Sequence, residues 1–261
     1  MDDEASRDGG MKAWKLALAD GVSAMFGLLG PLRGNPGCRV LMYHALGAQV
    51  PGDRQAQYSM AADRFRQHMR CLAGSPACPV FGLGEGIKAG SGVAITFDDG
   101  YRDTLEVAAP LLAELAFPFT VFVTPGFTRS GDKRYLGVPE LRELATVPGA
   151  SIGAHGNSHC RLTECNDADL SRELSESRAW LEEVLARPVT TMSYPHGAVD
   201  QRVRAAAAAA GYELAACSRF GAQRRGGDPL LIARTDIWAQ DDRARLLAKT
   251  AGAWDWMGWR A

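Results

Sequence analysis

What this chain has little of narrows it first. Its net charge is −1, from 29 basic and 30 acidic residues, so it carries no electrostatic footprint for nucleic acid. It has no GxGxxG and no P-loop at a strand–helix junction, which sets aside a dinucleotide or ATP site. No apolar run reaches the ~20 residues that a membrane span needs. The best stretch, Met11 to Leu29, is broken by Asp20, Gly21 and Gly27. No A-x-A cleavage site follows it, so a signal peptide is not expected and a cytoplasmic location is. Residues 1–37 are expected to form an acidic tail and a loosely amphipathic helix, with residues 11–30 packing on the domain or touching a membrane surface. The cysteines (38, 71, 78, 160, 165 and 217) share no repeating frame and read as reduced thiols rather than a disulfide scaffold. There is no internal repeat.

What is there describes a globular domain over residues 38–261, with 46% hydrophobic and 23% charged residues. Its organising stretch is Val93 to Phe97, a continuous apolar run that reads as a strand buried on both faces and ends in Asp98-Asp99-Gly100. A solvated turn is the plain reading of that doublet alone. A second strand-like run, Ala150 to Ala154, ends in His155-Gly156-Asn157-Ser158-His159. Side chains four apart across one tight turn can share a face and a metal. A carboxylate with two imidazoles makes a three-ligand site with one position open, the pattern of catalytic zinc, and leaves the other carboxylate free as a base. The rival is a structural zinc site drawing on Cys160 and Cys165. It requires the neighbours His159 and Cys160 to aim at one ion, which most backbone conformations forbid.

Other elements follow from periodicity. Arg39 to Tyr43 reads as a strand with His44 at its end, and Ala61 to Leu72 as a helix burying Phe65, Met69 and Leu72 with His68 in solvent. Residues 74–92 have no clear pattern. Leu105 to Ala116 reads as a helix capped by Asp103 or Thr104 and bent at Pro110. Phe119 to Thr124 and Thr190 to Tyr194 read as strands, Pro139 to Ala145 as a short helix, and Asp167 opens a long helix closed by Pro188. Val203 to Ala210 reads as a helix, Tyr212 to Cys217 and Leu230 to Ala233 as the last strands, and Arg243 to Ala251 as the last helix. Trp254, Trp256 and Trp259 crowd the tail and are expected to cover one end of the fold. Alternating strands and helices, about seven of each strand–helix unit, argue an α/β fold with a mostly parallel sheet whose carboxyl-end face carries the chemistry.

The segments Thr96-Phe-Asp-Asp-Gly-Tyr-Arg-Asp-Thr104 and Gly153-Ala-His-Gly-Asn-Ser-His-Cys-Arg-Leu-Thr163 resemble the first two motifs of the polysaccharide deacetylases with the NodB homology domain, carbohydrate esterase family four. The resemblance implies a single distorted (β/α)7-type barrel, one divalent metal such as zinc, a carbohydrate partner, and hydrolysis of an N-acetyl or O-acetyl group on a sugar. It assigns Asp99, His155 and His159 as metal ligands and Asp98 as general base. A third motif matches at Tyr194-Pro195-His196-Gly197, where the backbone N–H of His196 would face the oxyanion because proline has none. Many relatives carry an arginine two residues before that proline, where it orients the base; here Ser193 stands there, and Arg234 is the candidate replacement, with a structural pairing to Asp236 or another acid as its alternative. Relatives often carry a Leu-x-His near the carboxyl end, and here no histidine follows His196; Met42-Tyr43-His44 resembles the group with such a histidine on an early strand, and that resemblance implies His44 as proton donor to the leaving amine. Deformylation, O-deacetylation and a sugar-binding barrel without catalysis are the alternative functions.

Overall fold

A computed structural model describes residues 18–25, 37–75 and 78–260. Seven strands form one sheet: β1 (Arg39–Tyr43), β2 (Val93–Phe97), β3 (Phe119–Val123), β4 (Ala150–Ala154), β5 (Thr191–Ser193), β6 (Leu214–Ala216) and β7 (Arg234–Asp236). Their order is β6-β5-β4-β3-β2-β1-β7, and every pairing is parallel. The two ends of the sheet are joined by an isolated bridge between Ala216 and Ile232 and by a hydrogen bond from Arg234 N to Arg219 O at 3.0 Å, so the barrel is nearly closed. Parallel neighbours need long crossovers. These are supplied by α1 (Ala62–Ala73), α2 (Leu83–Ala89), α3 (Ala109–Glu114), α4 (Pro125–Arg129), α5 (Val138–Leu144), α6 (Asp167–Leu185), α7 (Gln201–Ala209) and, after β7, α8 (Arg243–Thr250).

β1, β2 and β3 are buried at every position, as expected of strands covered on both faces. Register then sets the site. Tyr43 lies beside Phe97 across β1 and β2, and Met42 lies beside Asp236 across β1 and β7. The residues that end β1, β2 and β7 therefore emerge at one rim.

Several elements differ from expectation. The final strand is Arg234–Asp236, not Leu230 to Ala233. Its polar residues give no strand signal, yet all are buried, Arg234 against Asp98 and Asp236 beneath the indole N–H of Trp238. The helix after Gly100 begins as a π turn over Thr104–Ala108 that runs directly into α3, with Pro110 in the first turn of the α segment. Asp103 does not cap that helix. Its Oδ2 accepts the N–H groups of Leu46 and Ala48 at 2.7 and 2.9 Å, tying down the loop after His44. Residues 74–92, unpatterned in sequence, contain α2.

His68 is buried rather than solvated: its Nδ1 meets the Tyr43 hydroxyl at 3.2 Å and its Nε2 meets Asp241 O at 2.9 Å. The α1 helix is covered on a second side by the segment entering α8, which periodicity on one helix cannot reveal. At the amino end, most of the expected tail and helix lies outside the described residues. Residues 18–25 are helical and pack beside α8, where Asp20 takes two hydrogen bonds from Arg245 and Ser23 accepts from Trp256. Trp254 is buried against Trp238 at that same corner. Among the described residues, no helix is long and apolar enough to cross a membrane.

Candidate metal centre

The turn after β2 separates two adjacent carboxylates. Asp99 and Gly100 have φ of 72° and 76°, a left-handed pair that aspartate tolerates better than most residues and glycine adopts freely. The reversal gives each acid its own partners. Asp98 takes a bidentate grip from Arg234, Nη1 to Oδ1 and Nη2 to Oδ2, both at 2.7 Å. Asp99 turns to the loop after β4, with its Oδ1 3.1 Å from His159 Nε2 and 3.4 Å from His155 Nε2.

That loop is held at each point. The His155 N–H donates to Val123 O at 2.8 Å, continuing the sheet one residue past β4. Glu173, from α6, accepts the N–H groups of Asn157 and Ser158 and the Ser158 hydroxyl at 2.7, 2.9 and 2.6 Å. His155 Nδ1 lies 3.0 Å from Ser193 O and 2.6 Å from Ser193 Oγ. A carbonyl only accepts, so Nδ1 carries the hydrogen and the Nε2 lone pair faces Asp99. The Ser193 hydroxyl donates onward to Asp98 at 3.2 Å. Ser193 thus bridges the two acids' networks, while Arg234 brings the guanidinium from β7.

Charge at the site is unbalanced by protein groups alone. Burial disfavours ionised Asp98, but Arg234 outweighs it and holds the pKa below the usual carboxylate value. Burial also opposes ionised Asp99, but the His155 and His159 rings that face it, when protonated, bring its pKa well below the usual carboxylate value. His155 is penalised by burial, yet Asp98 and Asp99 win and raise its pKa. Asp99 Oδ1 is buried with no hydrogen-bond donor, and imidazole nitrogens point at it. Lone pairs facing a carboxylate repel one another unless a proton or cation lies between them. Asp99, His155 and His159 bring their ligand atoms within 4.8 Å of one another, the one such group among the described residues. One oxygen and two nitrogens of this kind suit a divalent transition metal.

On the other side of the rim stand His44 and Asp236, lining the same cleft of about 810 Å³. His44 Nδ1 and Asp236 Oδ1 are both buried without a partner, and the His44 ring packs on Tyr58 with centroids 4.6 Å apart. Asp236 Oδ2 accepts from Trp238 Nε1 at 2.8 Å. Burial raises its pKa, against the pull of His44. Asp236 was expected only as a structural partner of Arg234; Arg234 pairs with Asp98 instead, and Asp236 faces the cleft.

Of the third motif, His196 lines the cleft. Tyr194 is buried and donates its hydroxyl to Leu230 O at 2.9 Å, while Pro195 and Gly197 shape the turn. Arg234 is fully buried and stands behind Asp98, so its action on anything in the cleft passes through that carboxylate. Cys160 and Cys165 place their sulfurs 3.3 Å apart and contribute nothing to the Asp99–His155–His159 group. Glu173 and Ser193 escaped the sequence reading as loop-holding residues, since neither sits in a motif that announces such a role.

Comparison with known proteins gives the same family. The sequence model of the polysaccharide deacetylase family matches residues 86–215. The chain belongs to the polysaccharide deacetylase family. YxkH of Bacillus subtilis, which carries a polysaccharide deacetylase name, is 29% identical over 133 residues, 51% of this chain and 47% of its own length. Chitin deacetylase 1 of Cryptococcus neoformans is 28% identical over 117 residues, 45% of this chain and 23% of that protein. The match thus spans less than half the length of these curated relatives. In fold, the Streptococcus pyogenes deacetylase PplD, solved with acetate, superposes with a TM-score of 0.74 at 23% identity, over 82% of this chain and 98% of that one. IcaB from Ammonifex degensii gives 0.69 at 21% identity, over 84% and 98%. Family membership and the barrel are common ground between these comparisons and the geometry.

Proposed function

We propose that this chain is a metal-dependent hydrolase that removes an N-acetyl group from an amino sugar, in a polysaccharide or a smaller glycoside. The observation that carries the reading is the division of labour between neighbouring acids: Asp98 is locked to Arg234 while Asp99 converges with two imidazoles in one cleft. Asp99, His155 and His159 would hold the metal, which when bound supplies Lewis acidity toward the amide carbonyl and water.

The remaining steps belong to the chain. Asp98 is kept ionised by Arg234 and oriented by Ser193, so it accepts the proton of the attacking water. His44, across the cleft from the metal ligands and lining it together with Asp236, delivers a proton to the departing amine. The backbone N–H of His196 offers a donor to the developing oxyanion. Tyr58, Tyr101 and Phe127 supply apolar surface around the cleft, where sugar rings can stack. Deformylation or O-deacetylation would call on the same groups.

The test is to incubate the zinc-loaded and chelator-treated protein with N-acetylated, N-formylated and O-acetylated sugar panels, following released acid and free amine. Acetate and amine released in equal amounts, only by the loaded protein, is the expected result. Silence on every substrate would favour a sugar-binding barrel. His44→Ala is expected to lower turnover about 10²- to 10⁴-fold, the range for a lost proton donor, without loss of metal; a fall in metal content would make His44 a ligand instead.

A further inference from the structure

The two imidazoles of the centre are not held alike. His155 has its far nitrogen anchored to Ser193, the arrangement that fixes a ligating ring and sets its tautomer. His159 has no such anchor among the described hydrogen bonds, and its backbone is in the left-handed region at φ 66°. What it has is a neighbour. His196 Nε2 lies 3.1 Å from His159 O, and the two rings pack with centroids 4.4 Å apart. Phe127 covers the His159 ring from another direction at 5.3 Å.

His196 is itself rigidly placed. Its φ is 58°, also left-handed, and the turn around it is closed by hydrogen bonds from Gly197 N to Tyr194 O at 2.8 Å and from Ala198 N to Pro195 O at 3.1 Å. At Gly197, whose φ is 65°, a Cβ would come within 2.5 Å of Ser218, so the turn packs too tightly there for any other residue. Of the six non-glycine residues with positive φ among those described, Asp99, His159 and His196 are three, and they sit together at this rim. Strained backbone persists where its surroundings over-determine it. Here the surroundings of one strained residue are another.

We infer that the His196 side chain is a positioning residue for the metal ligand His159: by donating from Nε2 to the His159 carbonyl and packing on its ring, it fixes a ligand that lacks an anchor of its own. The inference rests on the metal-centre reading above and adds to the backbone role given there to the same residue. Because a carbonyl can only accept, His196 must carry its hydrogen on Nε2. The hydrogen bond restrains the His159 backbone in a conformation that costs energy for a residue with a Cβ, and the ring contact restrains rotation of its side chain. A ligand held this way loses less freedom on binding a cation, so metal affinity rises without any direct bond from His196.

The experiment is zinc titration of the metal-free full-length chain in competition with a chromogenic chelator, which reads the dissociation constant independently of activity. His196→Phe keeps a ring and removes the donor. It is expected to weaken zinc binding about 10- to 100-fold, the range for lost outer hydrogen bonds at metal sites. His196→Gln, which can place an amide donor near the position of Nε2, should recover most of that loss. His196→Asn, well suited to the left-handed backbone but too short to reach the carbonyl, should behave like His196→Phe and replaces it if that variant does not fold. Melting of the metal-free variants separates affinity from stability. Wild-type affinity in both His196→Phe and His196→Asn would overturn the inference, as would a fall in melting temperature with no change in zinc affinity. Failure of the unaltered protein to bind zinc would overturn the metal-centre reading and this inference with it, an outcome distinct from equal affinities in all variants.

Discussion

Two buried ion pairs lie within a few residues of each other in this barrel, and only one faces the cleft. Arg234 and Asp98 meet at 2.7 Å beneath the rim. Lys249 and Asp241 meet at 2.5 Å at the corner where α8 packs. Both pairs are almost fully removed from water, so burial and pairing alone do not mark a site. The surroundings differ. Lys249 sits 3.9 Å over the Trp238 ring with Trp254 and Phe220 nearby, in regular helix, and its burial lowers its pKa despite Asp241. Asp98 adjoins a left-handed residue, a donorless buried oxygen on Asp99 and open space, and there the partner charge wins over burial. A sealed pair braces the fold. A pair with one side open, beside strained backbone, is equipped to meet a ligand. The two are linked through a strand: Lys249 donates to Asp236 O at 2.8 Å, so the bracing pair supports β7, which delivers Arg234 and Asp236.

That contrast can be broken by exchange. The largest effect is expected from Asp98→Asn, which removes the base and leaves Arg234 buried without its countercharge. Turnover of the zinc-loaded protein should fall about 10²- to 10⁴-fold, with some loss of stability as well. Lys249→Met should do the reverse. It leaves Asp241 to the Trp238 N–H at 2.9 Å and to Arg245 at 3.6 Å and is expected to lower unfolding free energy by about 3 kcal/mol, the lower end for a broken buried pair, measured by urea titration, while kcat of the folded enzyme stays close to the original. A Lys249→Met protein that keeps its stability but loses turnover would abolish the distinction. Between these and the surface lies Ser193→Ala. It cuts the bridge from His155 to Asp98 but leaves the carbonyl of residue 193 as a partner for His155 Nδ1. Zinc affinity should drop about tenfold, the lower end for outer-shell loss; no change would mean the carbonyl alone orients His155.

How much of this could be read from the chain follows from where the information lies. Asp98, Asp99, His155 and His159 fall in two short contiguous stretches, each ending a run of apolar residues, so strand and motif could be found together. The parallel order was open to inference from alternation, and β1 beside β7 from closure of the sheet. β7 itself was not: Arg234-Thr235-Asp236 has the composition of a loop, and only the acids and backbone brought to it across the barrel make it tolerable in the interior. For the same reason Asp236 and Ser193 read as a lesser partner and a departure from pattern. Their neighbours in space, His44, Asp98 and His155, are at least 38 residues away along the chain. Glu173 looks like one more acid on the solvent face of α6, and His68 like one more polar residue on α1. Each is defined by what packs against its helix, and no periodicity within the helix encodes that.

The smallest expected effect is a control on distance. Arg66 and Asp63, on α1, meet at 2.6 Å, between the 2.5 and 2.7 Å of the buried pairs, but are 47% and 87% exposed. In water the Coulomb attraction is screened, and ordering two long side chains consumes much of what remains. Arg66→Ala should therefore shift unfolding free energy by no more than about 0.5 kcal/mol and leave turnover and zinc affinity unchanged. With Lys249→Met this makes a two-point series at nearly constant separation and very different burial. If the exposed pair cost as much to break as the sealed one, geometry rather than solvent exclusion would rank the ion pairs. Exclusion of water behind Arg234 would then no longer account for its hold on Asp98.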